Sequence, residues 1–108
     1  MKRIRYSDSY QDEVITPEEL RAVLDYYHDD GVLYWKRTVS RSIVAGSRAG
    51  SYRVKKNRVI VGYRGKLLDA AELAIFLHTG RIPEFPVKFK DGNPRNLKFS
   101  NLVEDVIW

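Results

Sequence analysis

The sequence predicts a single small α+β domain with an N-terminal helix followed by antiparallel β-hairpins. Three observations carry this. Two stretches show apolar residues at helical spacing behind good N-caps. Several short runs of β-branched and aromatic residues alternate with Gly- and Asn-marked turns. The 108 residues, 44% of them hydrophobic, supply one core and are too few for two ordinary domains.

Residues 1–15 mix charge, Ser and Tyr without a period and read as a flexible N-terminal arm. A single domain is then expected over 16–108, with a lead-in of helix, strand and loop over 16–50 and its central part over 51–103. Thr16-Pro17-Glu18-Glu19 opens the first helix: Thr suits the N-cap, Pro the first turn, and Glu19 can close a capping box. Leu20, Val23, Leu24 and Tyr27 form its buried face, and Asp29-Asp30-Gly31 stops it. Val32–Trp35 reads as a strand, and 38–51 as a long loop carrying Arg41 and Arg48. Tyr52–Val54 and Arg58–Tyr63 look like paired strands, and Arg64-Gly65 turns into a shorter strand at Lys66–Leu68. Asp69 caps a second helix over Ala70–His78, with Leu73, Ala74, Phe76 and Leu77 apolar, and Gly80, Pro83 and Pro86 prevent its extension. Val87 and Phe89 alternate with Lys88 and Lys90 in a half-buried strand; Asp91–Pro94 is a tight turn, and Asn96–Leu102 one or two helical turns.

The net charge of +5 is unevenly spread. Residues 1–35 hold four basic and eight acidic side chains, whereas 36–98 hold fifteen and four. Such an excess in one continuous segment points to an anionic partner. With no cysteine, disulfides and thiolate metal sites are excluded. No apolar run reaches membrane-spanning length, and MKRIRYSDSYQDE lacks the apolar stretch of a secretory signal, so a cytoplasmic protein without a membrane partner is expected.

The order of motifs resembles small phage HNH endonucleases. LDYYHDDGVLYWKR is similar to that family's opening helix, turn and strand, and AGSRAGSYRV to its "AG…AG…GY-x-x-V" stretch. LDAAELAIFLHTGRIPE looks like its "L-A-H-R-L-A-W-L…G-x-x-P" helix, and VKFKDGNPRNLKFSNL like "I-D-H-I-N-G-D-x-x-D-N-R-x-x-N-L". The resemblance runs from about Leu20 to Val103 and implies a ββα-metal-like, HNH-like C-terminal half, a phage or prophage origin and a DNA partner. It fails at the chemistry. An HNH nuclease needs a His base and a metal that neutralises the scissile phosphate. Alignment puts Ala71 and Glu72 at a His-Arg pair, Lys88 and Phe89 at the Asp-His pair, and Asn96-Leu97 at the Asp-Asn pair. A phenyl ring accepts no proton, and an ammonium repels Mg²⁺. Loss of a general base alone costs ~10²–10⁴ in rate, so no catalytic residue, metal ligand or cofactor is expected.

The two histidines read as structural: His28 near the end of the first helix, His78 near the end of the second and within reach of Asp91 or Asn93. A rebuilt metal set of His78, Asp91 and Glu72 is the alternative for His78. Tyr34, Trp35, Phe76 and Phe89 read as core, whereas Tyr52 and Tyr63, beside Arg53 and Arg64, are stacking candidates. The strongest constellation is basic: Arg53, Lys55, Lys56, Arg58, Arg64 and Lys66 on or beside a hairpin that fits a major groove, and Lys88, Lys90, Arg95 and Lys98 around the vestigial site. The expectation is a catalytically inactive protein that binds double-stranded DNA. Two other readings stay open: a phage-encoded inhibitor that binds a host protein, and a metal-dependent endonuclease with relocated ligands.

Overall fold

The computed structural model describes residues 15–104. Helix α1 (Pro17–Val23) begins where the capping signal stands, and Thr16 Oγ1 accepts from the Glu19 amide at 3.2 Å. The Glu19 carboxylate crosses to another element instead of closing the capping box, accepting from Tyr63 Oη at 2.6 Å and pairing with Arg64 at 2.7 Å. The expected arm lies outside the described residues except for Ile15, which is buried in the core.

The first helix is shorter than its apolar spacing predicts. Leu24–Tyr27 is strand β1, antiparallel to β2 (Val32–Trp35), with Leu24 opposite Trp35 and Tyr27 opposite Val32. Tyr27, expected on the buried helical face, is 51% exposed. Asp25, Tyr26 and Tyr27 are mediocre helix formers, tyrosines favour strands, and Val32–Trp35 supplies a partner ladder. The amides of Asp30 and Gly31 close the hairpin onto the Tyr27 carbonyl. His28 therefore stands in a turn rather than at a helix end.

The loop after β2 is tied to it. Trp35 N donates to Ser47 O, Ala49 N donates to Leu33 O, and Tyr34 bridges Arg48, so Ser47–Ala49 runs beside β2. Next in the chain is a three-stranded antiparallel sheet of β3 (Ser51–Arg53), β4 (Arg58–Tyr63) and β5 (Lys66–Asp69). Its core-facing side carries Val61, Tyr63 and Leu68, all buried.

Helix α2 (Ala70–Thr79) is capped by Asp69, whose Oδ1 accepts from Ala71 N at 2.9 Å, and ends at Gly80 with φ +82°. It touches β1, β4, β5 and the Phe99–Asn101 turn, so Ala70, Leu73, Ala74, Ile75 and Phe76 are all buried. A helix apolar on nearly every side belongs in the centre.

After α2 the chain forms β6 (Val87–Phe89), a turn-rich loop, a 3₁₀ turn at Phe99–Asn101 and β7 (Leu102–Glu104), which pairs antiparallel with β6. The helical turn expected near Asn96–Leu102 is this single 3₁₀ turn, and Leu102–Glu104 is strand. Among the described residues no helix follows β6 beyond this 3₁₀ turn. The described residues form an α+β domain of two helices and antiparallel sheets. No helix among the described residues is long and apolar enough to cross a membrane.

Candidate nucleic-acid interface

The predicted basic constellation divides into cations exposed to solvent and cations spent within the fold. Arg58 belongs to the second kind. Its Nε donates to Asp69 Oδ2 at 3.0 Å, its NH1 donates to the Val87 carbonyl at 3.1 Å, and the guanidinium lies 5.0 Å from the centre of the Phe89 ring. One arginine thus joins β4, the cap of α2 and β6. Arg64 is likewise engaged, with both Glu19 oxygens. Lys66 is only 7% exposed, since it shares the core-facing side of β5 with Leu68. Tyr63 is buried too and offers no ring to a base. Burial and its hydrogen bond to Glu19 push the Tyr63 hydroxyl up to about 12. Burial also pushes the Glu19 carboxyl upward, but the hydrogen bonds from Tyr63 and Arg64 and the Arg64 charge outweigh it and hold the group below its ordinary value.

The remaining cations are exposed. Lys55 and Lys56 occupy the turn between β3 and β4, shaped by Asn57 at φ +53°, whose amide donates to Arg53 O at 2.8 Å. Arg53 stands opposite Arg58 on the sheet side away from Tyr52 and Val59. Lys88, Lys90, Arg95 and Lys98 are placed around the β6–β7 connection, and all four are exposed. Arg95 lies 4.7 Å from the centre of the Tyr52 ring, and Tyr52 Oη donates to Asn57 Oδ1 at 2.5 Å. The Asp91–Lys98 loop and the β3–β4 turn are therefore held against each other.

That loop is clamped by its own side chains. Asp91 Oδ2 accepts from Asn96 Nδ2, and Asp91 Oδ1 accepts from Asn101 Nδ2 and from the Asn93 amide, all at 2.8–2.9 Å. Asn101 Oδ1 accepts from the Asp91 amide at 3.0 Å, and Asn101 is buried. The bonds from Asn96, Asn93 and Asn101 hold the Asp91 carboxyl below its ordinary value. Gly31 seats the loop from the other side, against the backbone of Leu97 and Lys98.

Of the positions that the HNH resemblance aligns with its active site, Phe89 and Glu72 lie near Arg58. Ala71 is buried two residues after Asp69, Glu72 is half-buried, the half-buried Phe89 ring lies beneath the Arg58 guanidinium, Lys88 is exposed, and Asn96 is spent on Asp91. These residues do not suit the divalent metal of an HNH site, because the Asp69 carboxylate already holds a guanidinium and Phe89 offers carbon to it. Among the described residues no three His, Cys, Asp or Glu side chains converge.

The histidines find each other instead of Asp91 or Asn93. Their ring centres are 4.5 Å apart, the Phe99 ring centre lies 4.2 Å from that of His78, and Phe99 N donates to His28 O at 3.1 Å. They join the β1–β2 turn, the end of α2 and the 3₁₀ turn.

Arg48 is the residue that sequence reasoning left inside a loop. Together with Arg95 it lines a groove of about 450 Å³, floored by Ala49, Gly50, Tyr52 and Leu97. The available signal was the alternation of Arg48 with the small residues of Ser47–Gly50, which lets a chain lie flat beside β2.

No protein-family model, curated protein or solved structure matches the chain.

Proposed function

We propose that this chain is a catalytically inactive, HNH-like protein of phage origin that binds duplex DNA by neutralising phosphates. One observation carries the reading: the seat of Arg95 on Tyr52 joins the β3–β4 turn and the Asp91–Lys98 loop into a common basic surface. That surface offers Arg48, Lys55, Lys56, Lys90, Arg95 and Lys98, with Arg53 on the other face of the sheet, and no acidic side chain pairs with any of the six among the described residues. A merely solubilising face has no need to stack an arginine on a tyrosine or to lock the loop that carries it.

Phosphate contacts of this kind give affinity and register, with little sequence information. The inactivity rests on the residues at the aligned positions: a methyl group at Ala71, an ammonium at Lys88 and a phenyl ring at Phe89 neither accept a proton nor hold a metal. A salt titration of duplex binding tests the proposal. Six phosphate contacts give a slope of roughly −5 in log K against log salt, or about three decades of affinity between 50 and 200 mM. Binding that ignores salt, or none at low salt, overturns it. A single stoichiometric protein caught from nuclease-treated host lysate, with no DNA affinity, favours host-protein inhibition instead.

A further inference from the structure

We infer that the groove between Arg48 and Arg95 is a clamp for one phosphodiester of a nucleic-acid strand. This rests on the DNA-binding proposal but adds a location and a residue, Arg48, to it. Two arginines from different parts of the chain line the same open space, and neither has a carboxylate partner among the described residues. Each presents a planar fork of N–H donors, a geometry matched to phosphate oxygens. Gly50 takes φ +101°, and a Cβ there would lie 3.0 Å from Val59 and 3.3 Å from Val61, so the glycine lets the groove wall run close against β4.

A backbone bridge with Tyr34 fixes the Arg48 main chain, and the Arg95 guanidinium rests on the Tyr52 ring. For Arg95, less side-chain freedom then remains to be lost on binding. The same stacking decides what the groove reads. With Arg95 covering one face of Tyr52, that face is closed to a base, so the clamp grips backbone and is indifferent to sequence. Asp30, next to groove-lining Gly31, is an exposed acid in the turn beside the groove and opposes an anion there.

The test compares single charge removals in the full chain. Arg48→Ala and Arg95→Ala should each weaken duplex binding at least tenfold and lower the salt slope by about one. Arg41→Ala removes an equal charge from the exposed 40–43 turn and should cost only about two- to threefold, as a screened long-range charge does. The Arg48 side chain forms no hydrogen bond or ion pair among the described residues, and Arg95→Lys keeps the charge while removing the fork. Asp30→Asn should tighten binding. In parallel, a thymidine dinucleotide carrying one phosphodiester is titrated while the Gly50 and Ser51 amides are followed by NMR; they should shift, and Arg48→Ala should abolish the shift.

If duplex binds but the Arg48 and Arg95 variants behave like Arg41→Ala, the clamp is refuted and the DNA-binding proposal stands. If duplex fails to bind while the dinucleotide still shifts Gly50 and Ser51, the clamp stands and the duplex reading falls. If neither ligand binds, both fall.

Discussion

Replacing Gly31 by alanine isolates what holds the basic loop in place. Gly31 has φ +70°, and a Cβ built on it would lie 2.4 Å from Lys98 N and 2.7 Å from Leu97 C. Both are backbone atoms, so no flexible side chain can swing aside. The left-handed conformation costs a residue with a Cβ about 1–2 kcal/mol. Forcing the 97–98 backbone away adds an overpacking penalty of about 1–3 kcal/mol, because that segment also receives the Tyr26 Oη hydrogen bond at the Leu97 carbonyl. The sum is about 3 kcal/mol. For a domain of this size each kcal/mol lowers Tm by about 4–8 °C, so Gly31→Ala should melt at least about 12 °C below the parent. Gly46→Ala is the internal control: φ is +89° there, but nothing lies within 4 Å of its Cβ. It should lose only the conformational share, about 1–2 kcal/mol. Thermal melts and urea titrations of both variants give the difference directly. Equal losses would refute the claim that Gly31 is needed for close approach to the Leu97–Lys98 backbone.

Other contacts carry expectations of their own. Asp69→Ala removes the α2 cap and the partner of the half-buried Arg58, so it should cost about 2 kcal/mol or more, whereas Asp69→Asn, which can still cap, should cost less; urea midpoints decide. Glu19, Asp91 and Glu104 all have folded-state carboxyl values below their ordinary ones. Their contribution is therefore complete above the unfolded values near 4–4.5 and is lost as pH falls through the lower folded ones; Tm should hold level above pH ~5 and drop below it, less steeply in Glu19→Gln. Supercoiled plasmid incubated with Mg²⁺, Mn²⁺ or Zn²⁺ should stay intact, and strand scission that tracks the purified protein would overturn the inactivity proposal.

The parts of the fold set by neighbours in the chain were legible beforehand. Thr16 and Asp69 announce both helix starts, and the β3–β4–β5 order comes from the turns at Lys56-Asn57 and Arg64-Gly65. Strand β1 was not legible, because Leu20, Val23, Leu24 and Tyr27 fit a helix as well as a helix running directly into a strand. Only the distant choice of pairing with Val32–Trp35 separates the two. Strand β7 is three residues long and its partner lies fifteen positions or so upstream, beyond any local pattern. At the site, Lys66 was placed among the surface cations by composition, although its two-residue spacing from the buried Leu68 put it on the core face. Arg58 and Arg64 could be separated from free cations only once Asp69 and Glu19 stood beside them. Arg48 and Arg95, forty-seven positions apart, meet only after folding.

The mutual bonding of Asp91, Asn93, Asn96 and Asn101 has a thermodynamic consequence. A segment already rigid in the unbound protein has no ordering transition left to undergo when a ligand docks. Calorimetry of complex formation should accordingly lack the large negative heat-capacity change of coupled folding, and its entropy should be dominated by ions released to the solvent.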